Sequence, residues 1–583
     1  MRVTKAFSTM IRLAVQNPGW AFANLLAIAL SKSGLKFAAL YIGLVLFVGL
    51  TVGPMLLEAG FQEGTWTWSL FDVAFMVFMA LLFLAMIAPF VSLHFGHLDA
   101  DTHGSARFAT DREVAPLART DSGLLIGRDP KTGKLLRYNG AAHLLTMAPT
   151  RTGKGVGTII PNLLTADRSV VCIDPKGENA KIAGRARQQF GPVHVLDPFS
   201  VTGLASAAFN PLDTLDSDGV DVAEDASTLA DALVFDEPGL TGEAHWNEEA
   251  KALIAGLILK IVATESSGRR HLGTLREYLT LAPEQFSALL KRMQENQETA
   301  GLIARAANRF LGKSDREAAG VLSAAQRHTH FLDSPRMTAV LGRSDFRFAD
   351  LKRGKASIFL VLPPDRLSTY SRWLRLLVTQ SLTEMAREPM KPAVPVLYLL
   401  DEFAALGHLA PVERAMGLMA GYGVQLWPIL QDVHQLRATY GQRAGTFLSN
   451  AGVLQVFGVN DHDSARLVSD LLGQETVIFQ TMGRALDSEK SGISYSQHHT
   501  ARQLLTPDEV RSMAQHIELL FLAGQRPIIA GKLAYYADPE FRGCMMLPER
   551  FAHMPDRKRG ELRRAEQNLS LISKNGRGIC FVI

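Results

Sequence analysis

The hydrophobic and polar positions divide the chain into regions of different periodicity. Two long apolar runs, Lys36 to Leu57 and Leu70 to Pro89, lie within the first hundred residues. At about 1.5 Å per residue, either run is long enough as a helix to cross a hydrocarbon core of about 30 Å. Residues 1–100 are therefore predicted to form a two-helix transmembrane anchor, and a buried helical hairpin of a soluble domain is the alternative.

Basic residues are distributed asymmetrically around these two runs. Neither Lys nor Arg occurs between Phe37 and Arg107, whereas five basic and no acidic residues precede the first run. These five are Arg2, Lys5, Arg12, Lys32 and Lys36. The positive-inside rule places the N-terminus in the cytoplasm, and two crossings return the chain there. We therefore expect both termini and the long region beyond the second run to be cytoplasmic.

Beyond residue 100, short runs of strand composition alternate with helical patterns, as in an α/β fold. Between residues 215 and 335, apolar positions at helical spacing predict an all-α insertion, with helices at His245–Val262 and Asn308–Leu332. The predicted α/β domain then comprises residues 101–214 and 336–540, and a basic tail occupies residues 541–583. The predicted strands are Leu135–Met147, Arg168–Asp174, Gly191–Asp197, Lys355–Leu362, Glu518–Ala523 and Pro527–Lys532.

The segment Ala148-Pro-Thr-Arg-Thr-Gly-Lys-Gly155 follows a predicted strand and precedes a helical pattern. This is the context of a phosphate-binding loop, in which backbone N–H groups surround the phosphates and Lys154 reaches the β- and γ-phosphates. Ala148 stands where the first glycine belongs, and Gly155 stands where a hydroxyl would contact Mg²⁺, so a simple glycine turn is the alternative. The residues predicted to hold the nucleotide are Thr150, Arg151, Thr152, Gly153, Lys154, Gly155 and Val156.

A shorter apolar run far downstream, Val394 to Phe403, contains two adjacent carboxylates near its end. Buried parallel strands present such acids at their carboxyl ends, where ligands bind in open α/β sheets. We predict that Asp401 holds Mg²⁺ and that Glu402 orients and deprotonates the attacking water. Loop acids without a role are the alternative for this pair alone. A phosphate-binding loop about 250 residues upstream favours ATP and Mg²⁺ as cofactors.

Composition adds limited constraints. The net charge of +4, from 61 basic and 57 acidic residues, does not by itself identify a nucleic-acid-binding protein. The three cysteines have neither disulfide-framework nor zinc spacing, which indicates a reduced, cytosolic environment for most of the chain. Asp174, at the end of a predicted strand, could bind a ribose or stabilise a turn, and the turn is favoured.

Several motifs together resemble the TraG-type coupling proteins of type IV secretion systems. They are the two-span anchor, His103–Phe108, Ala148–Leu164, Asp401–Gly407 and Leu505–Val510. The resemblance covers the chain to about Phe541 and implies a RecA-like domain carrying an all-α domain, assembled as a homohexamer on the bacterial inner membrane. Such proteins receive DNA–relaxase complexes or effector proteins and deliver them to the secretion channel with ATP hydrolysis. Members of this family also have a glycine at the motif position of Gly155.

The resemblance implies two further roles near the end of the strand pattern Val424–Gln431. Gln431 corresponds to a glutamine that senses the γ-phosphate in RecA-like motors, although a solvated strand-end glutamine is the alternative. Some relatives place a trans-acting arginine about eleven residues earlier, where this chain has Ala420. Arg414 is the nearest basic residue in that segment.

Two other functions remain open from the sequence. A membrane-anchored DNA translocase of the chromosome-segregation type would share the anchor and the RecA-like core, but the helical insertion and the lack of a small C-terminal DNA-reading domain favour a coupling protein. A docking receptor for effector proteins would bind nucleotide and hydrolyse it weakly. Glu402 favours true hydrolysis, because a binding site alone needs no water-activating carboxylate.

Overall fold

The computed structural model describes residues 10–11, 15, 32–58, 66–95, 103–234, 244–484 and 493–542. Two compact units make up the chain. The first comprises residues 1–105 and 474–502, and the second comprises residues 106–473 and 503–583. Nearly all of the predicted basic tail lies outside the described residues, so it stays a prediction.

The described helices and strands of both units are numbered here in chain order, and they alternate along much of the second unit. The helices are α1 (Lys32–Glu58), α2 (Trp66–Phe95), α3 (Asp111–Arg119), α4 (Ile160–Thr165), α5 (Glu178–Arg187), α6 (Val222–Leu233), α7 (Ala244–Thr264), α8 (Leu272–Leu279), α9 (Pro283–Gln294), α10 (Leu302–Leu311), α11 (Asp315–Thr329), α12 (Pro335–Val340), α13 (Asp350–Arg353), α14 (Leu367–Arg387), α15 (Ala410–Leu418), α16 (Val433–Tyr440), α17 (Ala444–Asn450), α18 (His462–Leu472) and α19 (Pro507–Arg511). The strands are β1 (Leu124–Arg128), β2 (Leu135–Tyr138), β3 (His143–Met147), β4 (Val170–Asp174), β5 (Val193–Leu196), β6 (Ser357–Val361), β7 (Val396–Leu400), β8 (Val424–Leu430), β9 (Ala451–Val456), β10 (Gln474–Arg484), β11 (Ile493–Gln503), β12 (Ile517–Leu522) and β13 (Ile528–Gly531).

The first unit contains the two N-terminal helices that the apolar runs predict. The Tyr41 hydroxyl donates to the Met79 carbonyl at 3.3 Å, and the Tyr41 ring meets Phe83 edge-on at 5.3 Å between centroids, so α1 and α2 pack together. Among the helices of the described ranges, none combines the length and the apolar character that a membrane crossing needs. The transmembrane character of the predicted anchor is therefore not confirmed and stays a prediction.

An eleven-stranded sheet organises the described part of the second unit. Its order is β2-β1-β13-β12-β9-β3-β8-β7-β4-β6-β5. The seven strands from β9 to β5 run parallel, whereas β12, β13, β1 and β2 extend the sheet with antiparallel pairings. Central strands such as β7 and β8 are completely buried, because helices cover both faces of a parallel sheet. Their apolar runs are therefore continuous rather than alternating.

The regular elements that the structure describes between β5 and β6 are all helices, as the composition predicts. Helix α7 coincides closely with the predicted helix, and the helical pattern predicted over Asn308–Leu332 belongs to two helices. Helix α10 ends before Gly312, and Ser314 begins α11 by accepting a hydrogen bond from the Glu317 N–H at 3.3 Å. A glycine and a capping serine thus interrupt the helical pattern. The proposed domain boundaries at residues 215 and 335 stay predictions.

Candidate nucleotide-binding site

Sheet topology brings three separate segments to one edge. Strand β3 pairs in parallel with β8, and β8 pairs in parallel with β7, so their carboxyl ends lie side by side. The loop from Ala148 follows β3, the pair Asp401 and Glu402 follows β7, and Gln431 follows β8. This is the edge at which open α/β sheets bind ligands.

The loop after β3 has the backbone of a phosphate cradle. Arg151 and Gly153 have positive φ angles of 67° and 96°, which curl the chain tightly. The Thr152 hydroxyl donates to the Pro149 carbonyl at 2.6 Å and closes the turn. A Cβ atom built on Gly153 or Gly155 would meet nothing within 4 Å, so open space lies beside the loop. The backbone and this space fit a bound phosphate chain.

A helix begins where the loop ends, as predicted, but its first turn is unusual. Residues Gly155–Ile159 form a π-helical turn that leads into α4. The first N–H groups of a helix have no partner within it, and they favour negative charge. The amides from Gly155 and Val156 therefore lie at a helix start suited to phosphate oxygens.

Lys154 contacts both carboxylates that follow β7. Its Nζ lies 3.0 Å from Asp401 Oδ1 and 2.5 Å from Glu402 Oε1. Burial acts against the charge of Lys154, but Asp401 and Glu402 outweigh it and raise the pKa of the lysine. Burial raises the pKa of Asp401 despite Lys154. Burial also acts to raise the pKa of Glu402, but the hydrogen bond from Lys154 lowers it on balance.

Gln431 belongs to the same cluster. Its Nε2 donates to Glu402 Oε2 at 3.1 Å, and its Oε1 accepts from the Thr150 hydroxyl at 3.3 Å. These two contacts fix which end of the amide faces the carboxylate. Gln431 is thus a linker between the phosphate loop and Glu402, rather than a strand-end glutamine free in solvent.

The backbone at Glu402 is strained. Its φ and ψ are 50° and 42°, in the left-handed region, and its N–H donates to Asp401 Oδ1 at 2.9 Å. For a residue other than glycine this conformation costs about 1 kcal/mol or more, and such residues cluster at functional sites. In this conformation the Glu402 side chain contacts Lys154 and Gln431.

The remaining predicted residues lie as follows. Thr150 and Arg151 are exposed at the rim of the loop, and Val156 is half-buried. Arg414 is exposed on α15, and within the described residues it makes no hydrogen bond or ion pair. The next hydroxyl after Gly155 belongs to Thr158, which is buried and donates to Gln455 Oε1 at 3.1 Å. Thr158 is therefore already engaged, and the missing magnesium-binding hydroxyl of the motif has no replacement from this turn.

Asp174 has a structural contact that accounts for its position. Its side chain is buried, and Oδ2 accepts from the Ala180 N–H at 2.8 Å at the start of α5. Burial raises the pKa of Asp174 to about 6. The turn interpretation of Asp174 is therefore favoured over contact with a ribose.

Sequence reasoning missed Lys532, which lies 380 residues after the loop in sequence. Its Nζ donates to the Thr152 carbonyl at 3.1 Å. In the sequence, Lys532 is simply the last residue of the predicted strand Pro527–Lys532. Local sequence contains no signal for this contact, because it depends on the pairing of the antiparallel strands β12 and β13 with the parallel sheet.

Comparison with known proteins places this geometry in context. The family model described as Type IV secretory system Conjugative DNA transfer matches residues 109–557. Conjugal transfer protein TraG of Escherichia coli is 29% identical over 518 residues, covering 79% of this chain and 81% of that protein.

Solved structures of the plasmid coupling protein TrwB have the same fold. The complex with the ATP analogue ADPNP superposes with a TM-score of 0.56 at 19% identity, covering 74% of this chain and 93% of that one. The complex with ADP and Mg²⁺ has the same TM-score and identity and covers 74% and 94%. The predicted α/β fold is thereby confirmed, and it is the fold of TrwB.

Proposed function

The chain belongs to the type IV secretory system conjugative DNA transfer family, and we propose that it is an ATP-hydrolysing coupling protein of a type IV secretion system. The TraG-type resemblance carried by its motifs is confirmed by this membership and by the TraG relative. TrwB, whose fold it shares, binds ADPNP and binds ADP with Mg²⁺. ATP and Mg²⁺ are the cofactors that these comparisons and the site both support.

The observation that carries the proposal is the cluster of Lys154, Asp401, Glu402 and Gln431 beside an open phosphate loop. Lysine, two carboxylates and an amide from three strand ends meet within hydrogen-bond distance. A site for nucleotide binding alone needs the loop and the lysine. The carboxylate next to Asp401, held by both Lys154 and Gln431, is the feature that hydrolysis adds.

The geometry suggests the order of events on this chain. Loop amides and the helix start bind the phosphates, and Lys154 moves from the carboxylates to the β- and γ-phosphates. Asp401 loses its lysine partner and is then free to bind Mg²⁺, which would neutralise charge on the phosphates. Glu402, released from Lys154 but held by Gln431, orients a water and accepts its proton as it attacks the γ-phosphorus, releasing ADP.

We further propose that the substrates are DNA–relaxase complexes, effector proteins or both, delivered to secretion channel components by a homohexamer at the bacterial inner membrane. Family membership and the names of the relatives support the DNA substrate. The asymmetry of Lys and Arg around the apolar runs supports a two-pass topology with cytoplasmic termini. A cysteine introduced near Gly64 should then react with an impermeant reagent from outside, and one near Gly123 should not; the reverse pattern would refute this orientation.

The central experiment is a DNA-stimulated ATPase assay on the detergent-solubilised full-length chain. Glu402→Gln should bind nucleotide like the parent but hydrolyse at least about 100-fold more slowly, because the proton acceptor is lost. Glu248→Gln, at an exposed carboxylate paired with Lys251, is the matched control and should change neither quantity.

The alternatives make different predictions in the same assay. Near-parental hydrolysis by Glu402→Gln would refute the role given to Glu402. A parent that stays monomeric, with a rate unaffected by single-stranded or duplex DNA, would favour the docking receptor. Processive movement along naked duplex DNA without any secretion component would favour the chromosome-segregation type of translocase.

A further inference from the structure

The segment after β13 forms one side of the phosphate loop. Lys532 Nζ donates to the Thr152 carbonyl at 3.1 Å, and the Tyr535 N–H donates to the Val156 carbonyl at 3.4 Å. A Cβ atom on Gly157 would lie only 2.9 Å from the Leu533 carbonyl oxygen. Glycine at position 157 thus permits this segment to pack directly against the start of the loop helix.

The lysine is held in place by its surroundings. Its Nζ lies over the Phe457 ring, 4.4 Å from the centroid, a favourable arrangement for a cation. Glu518 on β12 is the titratable group that interacts electrostatically with Lys532, and that carboxyl is buried, with Oε2 accepting from Gln455 Nε2 at 2.7 Å. Burial lowers the pKa of Lys532 to about 8 against the influence of Glu518. The contacts with the Thr152 carbonyl and the Phe457 ring place the ammonium group beside the loop.

The contact fixes a particular peptide plane. In a trans peptide the carbonyl of one residue and the N–H of the next point in opposite directions. A lysine that binds the Thr152 carbonyl therefore directs the Gly153 N–H to the opposite side of the loop. Gly153 has a φ of 96°, so without this restraint the plane could rotate through conformations open to glycine.

We propose that Lys532 is a positioning residue of the nucleotide site, holding the Thr152–Gly153 peptide so that the Gly153 N–H faces the phosphates of the bound nucleotide. The inference rests on the proposed nucleotide-binding function. Lys532 acts through the loop and does not touch the attacked phosphorus. It should affect binding of di- and triphosphates alike and leave the hydrolysis step unchanged.

The test measures ADP and ADPNP binding, and ATPase kinetics, on the full-length chain in detergent. Lys532→Met should weaken both affinities about tenfold, the effect of losing one charge-assisted hydrogen bond, with kcat within about twofold of the parent. Lys532→Arg keeps the charge and the donors and should recover much of the affinity. Lys131→Met is the control, because Lys131 is exposed and pairs with exposed Asp111.

Folding is checked by the apparent melting temperature without nucleotide. If Lys532→Met melts well below the parent, Lys532→Gln is measured in its place. The glutamine side chain is polar and uncharged, and it is one atom shorter than that of lysine. Parental affinity in the folded variant would overturn the inference, and so would a fall in kcat with unchanged affinity. Failure of the parent itself to bind either nucleotide would instead refute the proposed function, and the two failures are thereby distinguished.

Discussion

Two clusters of charge in the second unit look alike but occupy different settings. Lys154 at the sheet edge contacts two carboxylates, whereas Glu249 in the helical region contacts two cations, Arg309 at 2.7 Å and Lys313 at 2.9 Å. Glu249 and Arg309 lie on α7 and α10, Lys313 lies in the turn before α11, and Glu317 on α11 completes the cluster by pairing with Lys313. It has no excess charge and no strained backbone.

The cluster at the sheet edge differs in each of these respects. Its formal charge is negative, Glu402 has a left-handed backbone, and open space lies beside Gly153. The unbalanced charge and strained backbone at the sheet edge are typical of an ion pair that a bound ligand replaces. The balanced charges of the helical cluster are typical of a surface network that contributes only to local stability. Substitutions of Lys154 and Glu249 test this contrast directly. A substitution of Glu518 tests a third, buried setting, and the three are given from the largest expected effect to the smallest.

Lys154→Ala should have the largest effect and abolish ATP hydrolysis. The two carboxylates lose their common partner and the phosphates lose their nearest cation, so we expect kcat/KM to fall at least about 100-fold. ATPase rates and ADPNP binding of the full-length chain measure this effect. Hydrolysis at more than about a tenth of the parental rate would mean that the cluster is structural, like the helical one.

Glu518→Gln should stabilise the protein in a pH-dependent way. Burial raises the pKa of Glu518 from 4.5 to about 8, so the folded chain resists an ionisation that the unfolded chain undergoes. The resulting loss in the free energy of unfolding is absent below about pH 4.5, grows as pH rises and levels off near pH 8. At pH 7 it reaches up to about 3 kcal/mol.

The apparent melting temperature, followed from pH 5 to pH 8, measures the effect of Glu518→Gln. The gain over the parent should widen with pH, because the glutamine has no ionisation to suppress. A constant difference across this range would show that Glu518 is ionised in the fold, and that Lys532 has a full negative charge opposite it.

Glu249→Gln should have the smallest effect. Hydrogen bonds from Arg309 and the nearby Lys313 lower the pKa of Glu249 to about 2, so its contribution is complete above pH 4.5 and is lost as pH falls toward 2. At neutral pH we expect a loss below about 1 kcal/mol, seen as a fall of about 1 or 2 °C in apparent melting temperature. Nucleotide affinity and kcat should not change; a clear ATPase defect would show coupling between the helical region and the site.

Much of the site was predictable because its parts are local patterns. The phosphate loop lies on a strand–loop–helix sequence, and Asp401 and Glu402 end an apolar run of strand length. Helix α7 was likewise visible from its apolar spacing. Periodicity alone does not show that the pattern over Asn308–Leu332 divides into two helices, because the break at Gly312 and Ser314 depends on capping rather than on hydrophobic pattern.

The sequence alone determined which chemical groups the protein has and on which elements they stand, because strand and helix periodicity and turn residues act over a few positions. Only the tertiary structure decided that Lys154 pairs with both carboxylates and that Gln431 links Thr150 to Glu402. The same holds for Lys532 behind the phosphate loop. These contacts join segments up to 380 residues apart through the order of strands in the sheet, and no local pattern encodes that order.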